Sequence, residues 1–170
     1  VRMMYRLREA FMLGDPEMIL RYSAELGHYV ADANVPLHTT RNYNGQLTGQ
    51  TGIHAFWESR LPELFSDRYD FYTGQASYLD DPQQSAWNAV YKAHVFVAPL
   101  LQEEKILSEQ VASSKYNYET KGKQTVRVYA LSYATRYHDK LAGMVEQQMR
   151  ASIKMTGDFW YTAWVDAGQP

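Results

Sequence analysis

An all-α domain is what the sequence predicts, on three observations. Apolar residues recur at three- and four-residue spacing through most of the 170 residues, the period of a helix with one buried face. Prolines stand where helices start or stop, at Asp15-Pro16, Val35-Pro36 and Pro82, because a missing N–H costs nothing in a first turn and the residue before proline avoids helical backbone. No segment shows sustained alternation of period two with β-branched enrichment, and no repeat recurs at a fixed period.

Taken in order, Val1 to Phe11 enters an amphipathic helical pattern with no capping residue ahead of it, so the chain is expected to continue a longer polypeptide. Gly14-Asp15-Pro16 ends this helix and begins the next, with Asp15 as N-cap. That second helix runs from Pro16 to about Asn34, its stripe made by Ile19, Tyr22, Leu26, Tyr29 or Val30, and Ala33. From Leu37 to Gly52 the residues are mostly Thr, Asn, Gln and Gly, which predicts a sixteen-residue loop, and a loop of that length is more often functional than idle. A third helix spans Ile53 to about Arg60, with Pro62 kinking or restarting it towards Leu64 and Phe65. Asp67 to Asp81 reads as a Tyr- and Gly-rich loop. Pro82 opens a long helix through Trp87, Val90, Ala93, Val97, Leu100 and Leu101 to about Val111, kinked at Pro99. Lys115 to Gln124 reads as polar loop, and Thr125 to Val165 as one or two helices ended by Ala167-Gly168.

Composition bounds the function. With 45% apolar and 14% aromatic residues the chain is too rich in core formers to be disordered. The longest apolar run, Val95 to Leu101, is seven residues and contains Pro99, against the roughly 20 needed to span a bilayer. A net charge of −2 gives no global basic field for nucleic acid. Cysteine is absent, so disulfides, thiolate catalysis and Cys-rich zinc sites are excluded and any metal must be held by nitrogen and oxygen. The N-terminus carries no signal-peptide pattern.

Three of the five histidines fall between Gly27 and Glu58. His28 and Asp32 form one helical pair four residues apart, His54 and Glu58 another, and His38 stands on the loop between them. Such a pair sits on one helix face about 5–6 Å apart at Cβ, close enough to share a divalent ion. His54 and Glu58 line up with Leu61 and Phe65 beside the apolar stripe, so they point partly inward, where a buried imidazole and carboxylate need compensation by an ion or by an internal hydrogen bond. His28 and Asp32 lie on the polar line Arg21, Glu25, His28, Asp32; an isolated pair of this kind is usually a solvated ion pair, and their spacing does not decide between that and a ligand role. Glu25 and His28 fit half of a di-iron signature, whose second half is missing. His94 reads as a core histidine, His138 with Asp139 as a surface or capping pair, and Trp160 with Trp164 as packing. Lys115, Tyr116, Tyr118, Lys121 and Lys123 interleave cations with aromatics as single-strand binders do, a pattern shared with any solvated loop.

The run His28-Tyr-Val-Ala-Asp32-Ala-Asn34-Val-Pro36-Leu-His38, followed by His54-Ala-Phe-Trp-Glu58, resembles the zinc-dependent phospholipase C family and its relatives, the S1/P1 nucleases. The resemblance implies a multi-helix phospholipase C/P1 nuclease-like domain of which residues 1–170 form the C-terminal portion, the N-terminal part being missing. It implies that His38, His54 and Glu58 hold one zinc while His28 and Asp32 contribute to a neighbouring pair, Asp32 bridging, with up to three zincs in the intact protein. The family's remaining ligands, an N-terminal Trp, further His and an Asp, have no counterpart before Gly27, so the general base is expected outside this chain and the chain alone is expected to show little or no hydrolase activity. The implied function is a zinc-dependent phosphoesterase acting on phosphodiester bonds of a phospholipid, with a single-strand nuclease or a non-catalytic helical metal-binding module as alternatives, in a secreted or extracytoplasmic setting. Tyr69 to Tyr78 would supply an apolar rim for lipid and Lys115 to Lys123 a groove for nucleic acid.

Overall fold

A computed structural model describes the backbone of all 170 residues and every side chain except those of Ala112 and Lys121; the expected contribution of Lys121 to a basic stretch thus lies outside the described residues. Helix makes up 67% of the chain, with one small hairpin beside it.

Helices α1 (Arg2–Leu13) and α2 (Pro16–Ala33) form an antiparallel pair across a tight corner. Gly14 takes the left-handed conformation that closes α1, and Asp15 accepts from the backbone N–H of Glu17 and Met18 at 3.0 Å each, opening α2 as its sequence predicts. Val35-Pro36 stops α2, and Pro36–Thr39 follows as a 3-10 turn, so the predicted loop begins with a short ordered element.

The next helix is continuous where a kink or restart is predicted. It consists of α3 (Ile53–Ala55), a π-helical turn (Phe56–Arg60) and α4 (Leu61–Phe65). Leu61 N–H reaches back five residues to the carbonyl of Phe56. Pro62 accounts for the widening: its ring would strike the carbonyl of Glu58 in a regular turn, and it has no N–H to offer.

A 3-10 turn at Ser66–Arg68 opens the segment expected as a Tyr- and Gly-rich loop, and residues 69–81 carry no regular helix or strand; they are tied to the C-terminal helix by Ser77 N–H on Asp158 and Leu79 N–H on Thr162. Two helices, α5 (Pro82–His94) and α6 (Val97–Val111), replace the single kinked one. The break falls at Val95-Phe96, one turn before Pro99, because Pro99 removes the donor for the Val95 carbonyl and its ring displaces that group.

The hairpin corrects the all-α reading. Strands β1 (Tyr116–Lys121) and β2 (Gln124–Tyr129) pair antiparallel, Tyr116 opposite Tyr129 and Lys121 opposite Gln124, so neither the polar loop at Lys115–Gln124 nor a helix start at Thr125 holds. Gly122, at φ +63, makes the two-residue turn with Lys123, and Val126 and Val128 supply the β-branched residues. Helices α7 (Leu131–Lys140) and α8 (Met144–Asp166) complete the chain.

Two apolar clusters hold these elements. Phe56, Trp57, Leu61 and Phe65 pack with Leu100, Leu107, Tyr133, Tyr137 and Val145 in the larger one. Met4, Leu7, Leu26, Val30, Phe159 and Ala163 join α1, α2 and α8 in the other. Helix α8 spans both, and Gln148 from its first half donates to the carbonyl of Asn34 at 2.6 Å. This fixes the end of α2 against the rest of the fold, beside the segment that carries His38. Among the described residues no helix is long and apolar enough to cross a membrane.

Candidate metal centre

His38, His54 and Glu58 converge. The Nε2 atoms of the two imidazoles are 3.1 Å apart, Glu58 Oε2 lies 2.6 Å from His54 Nε2, and it lies 3.5 Å from His38 Nε2. Three elements place them: the 3-10 turn after Pro36 presents His38, α3 presents His54, and the π-helical turn presents Glu58. All three side chains are partly shielded, 29%, 24% and 36% exposed.

Their outer partners settle which atoms face inward. His54 Nδ1 is 3.1 Å from the carbonyl of Tyr43; a carbonyl only accepts, so Nδ1 carries the proton and the lone pair of a neutral His54 sits on Nε2. His38 Nδ1 faces Asp32 Oδ1 at 3.5 Å, which turns its Nε2 towards the same point. Two imidazole Nε2 atoms and a carboxylate oxygen thus meet within 3.5 Å of one another, and such a group needs a positive centre among its members, a proton or a metal ion.

The donor set fits zinc. Ligand atoms at about 2.0–2.1 Å from a tetrahedral ion are about 3.3 Å from one another, and the three separations bracket that value. Two imidazoles and one carboxylate leave a fourth position open, the pattern of catalytic zinc. An outer backbone carbonyl on one histidine and an outer carboxylate on the other are the supports that metal-bound imidazoles use.

His28 and Asp32 extend from this triad. Asp32 reaches both neighbours, Oδ1 towards His38 and Oδ2 towards His28 Nε2 at 3.6 Å. His28 itself is 72% exposed. The polar line predicted for α2 is present, since Arg21 Nε donates to Glu25 at 2.9 Å one turn earlier. All five predicted residues thus form one chain of neighbours, with the compact three-ligand cluster at one end.

Other expectations change. His94 is exposed rather than in the core. Thr39 Oγ1 donates to the carbonyl of Pro36 at 2.7 Å and accepts from His94 Nδ1 at 2.9 Å, next to His38 in sequence. His138 lies half-buried between Phe65 and Tyr69, its Nε2 2.7 Å from the Tyr69 hydroxyl, with Asp139 farther off at 3.9 Å. Burial pushes the Tyr69 hydroxyl up to about 12 and lowers the His138 imidazole below its ordinary value. Trp160 and Trp164 each donate to a backbone carbonyl, of Ser23 and Pro170.

Beside Glu58 lies a cleft of about 250 Å³ walled by Val35, Trp57, Pro62, Val145, Met149 and Ile153. The indole N–H of Trp57, one of the lining residues, is buried without a hydrogen-bond partner among the described residues. Sequence pattern gave no sign of this cleft, which is assembled from α2, the π-helical turn and α8. The Tyr43 carbonyl was equally invisible, since a backbone group carries no side-chain signal. Neither a family model, nor a curated protein, nor a solved structure matches the chain.

Proposed function

We propose that this chain carries the three-ligand zinc site of a phospholipase C-like phosphoesterase that hydrolyses phosphodiester bonds. The observation that carries the reading is the convergence of His38 Nε2, His54 Nε2 and Glu58 Oε2. A zinc ion held there supplies Lewis acidity towards phosphate oxygens and activates water. Tyr43 and Asp32 hold the two imidazoles in the tautomer and orientation that leave Nε2 free. Asp32 and His28, by resemblance, reach towards further zincs, up to three in all.

The apolar cleft beside Glu58 supports a phospholipid over a nucleic acid, because it offers an acyl or glyceride portion a water-poor wall next to the reacting phosphate. One observation favours the nuclease reading: Tyr118 is exposed on the hairpin opposite Arg127, whose guanidinium lies 4.4 Å from the ring centroid of Tyr116, an arrangement on which bases can stack. A secreted or extracytoplasmic setting belongs to the same proposal.

Assaying the intact zinc-loaded protein on phosphatidylcholine and on single-stranded DNA and RNA tests the substrate. Release of diacylglycerol is expected. Cleavage of nucleic acid alone transfers the assignment to the nuclease side, and hydrolysis of neither with zinc bound leaves a non-catalytic metal-binding module.

A further inference from the structure

We propose that Glu104 is a positioning residue for the metal centre, acting through Gln50 and the loop 42–52 on the ring of His54. The inference rests on the zinc reading of the site.

The loop behaves as one body because its polar groups are spent on each other. Asn42 Oδ1 accepts from Leu47 N–H at 2.8 Å, Asn42 Nδ2 donates to Thr48 Oγ1 at 3.0 Å, and Asn44 Oδ1 accepts from Gly52 N–H at 3.0 Å. Gln50 N–H closes the crossing on the Gly45 carbonyl at 2.8 Å. That crossing is so close that a Cβ on Gly45, at φ +73, would stand 2.4 Å from the Gln50 carbonyl oxygen. A body built this way moves as a unit, and it carries the Tyr43 carbonyl that fixes His54 Nδ1.

Gln50 ties this body to α6. Its side chain, itself buried, donates to the Leu101 carbonyl at 2.8 Å and to Glu104 Oε2 at 2.6 Å. Glu104 is fully buried, and its other oxygen takes Lys115 Nζ at 2.6 Å and the Tyr133 hydroxyl at 2.8 Å. A buried carboxylate satisfied on both oxygens is a fixed point. Moving the anchor displaces the loop, the loop carries the Tyr43 carbonyl with it, and the His54 ring loses the partner that keeps its Nε2 free. The link from α6 to the metal centre is therefore Glu104, Gln50, the Gly45 crossing, Tyr43 and His54.

Gln50→Ala removes the anchor while leaving Glu104 with Lys115 and Tyr133. Zinc affinity, measured by competition with a chromophoric chelator, is expected to fall about 10- to 100-fold, the usual loss when an outer partner of a metal-bound histidine goes. Two-bond proton–nitrogen NMR of the zinc-free protein is expected to show His54 protonated at Nδ1 in the wild type and as a tautomer mixture in the variant. Tyr133→Phe, which removes a Glu104 partner but not the Gln50 link, is expected to lower the melting temperature and leave both readouts in place. Should Gln50→Ala fail to fold, Glu104→Asp keeps the charge for Lys115 and withdraws the oxygen from Gln50, with the same direction of change expected. Wild-type zinc affinity and tautomer in the folded variant overturn the inference, as does loss of affinity in Tyr133→Phe equal to that in Gln50→Ala. A wild-type protein that takes up no zinc overturns instead the metal reading beneath it.

Discussion

His54→Ala removes tight zinc binding at the triad. The imidazole supplies one of three donor atoms and is the one in short contact with both others, at 3.1 Å and 2.6 Å, so affinity falls by more than the ~100-fold that marks loss of a mere outer partner. Zinc at about 1,000 times its dissociation constant stabilises the wild type by about 4 kcal/mol, and that gain vanishes in the variant. Without metal the two proteins melt close together, because the side chain is partly exposed and its removal relieves a crowd of acceptors. Thermal denaturation with and without zinc reads both effects. A variant that gains as much from zinc as the wild type would place the ion elsewhere.

Phe56→Ala gives the largest loss of stability expected from a single truncation near the site. The ring is 1% exposed and lies parallel to Tyr129 at 3.7 Å between centroids, with Tyr137 at 5.0 Å and Tyr133 at 5.9 Å. Truncating a buried Phe costs about 3–5 kcal/mol, against about 5–15 kcal/mol for a whole domain. Phe56 also opens the π-helical turn between His54 and Glu58, so zinc affinity falls together with stability, whereas His54→Ala separates the two. Urea unfolding with an unchanged m-value checks the figure; a cost under about 1 kcal/mol would mean that the aromatic cluster is not what holds the metal-bearing helix.

What could be read from the sequence depended on whether the deciding physics was local. Gly14, Asp15 and Pro16 each act within one turn, and the corner between α1 and α2 forms where they predict it. The hairpin is not legible in the sequence because most of its residues are polar and the contact that secures it, Tyr129 stacked on Phe56, joins segments far apart in the chain. The helix break falls at Val95-Phe96 rather than at Pro99, because a proline disturbs the carbonyl four residues before it rather than its own position. His94 sits among apolar neighbours in sequence yet is exposed, its ring drawn out by Thr39.

The metal centre divides along the same line. Spacing marks the pairs His28 with Asp32 and His54 with Glu58, and the resemblance groups His38 with His54 and Glu58. Nothing in the pattern named the Tyr43 carbonyl or the Glu104–Lys115 pair, whose roles arise from contacts 11 residues apart and from a buried charge that only the fold brings to Gln50. The apolar cleft beside Glu58 likewise needs α8, far along the chain.

X-ray absorption at the zinc edge of the zinc-loaded protein tests the central claim most directly. Two imidazole nitrogens and a carboxylate oxygen at about 2.0–2.1 Å are predicted in the zinc shell, with the imidazole scattering lost in His54→Ala. A shell of oxygen alone, or a protein that retains no zinc after dialysis, would contradict the account.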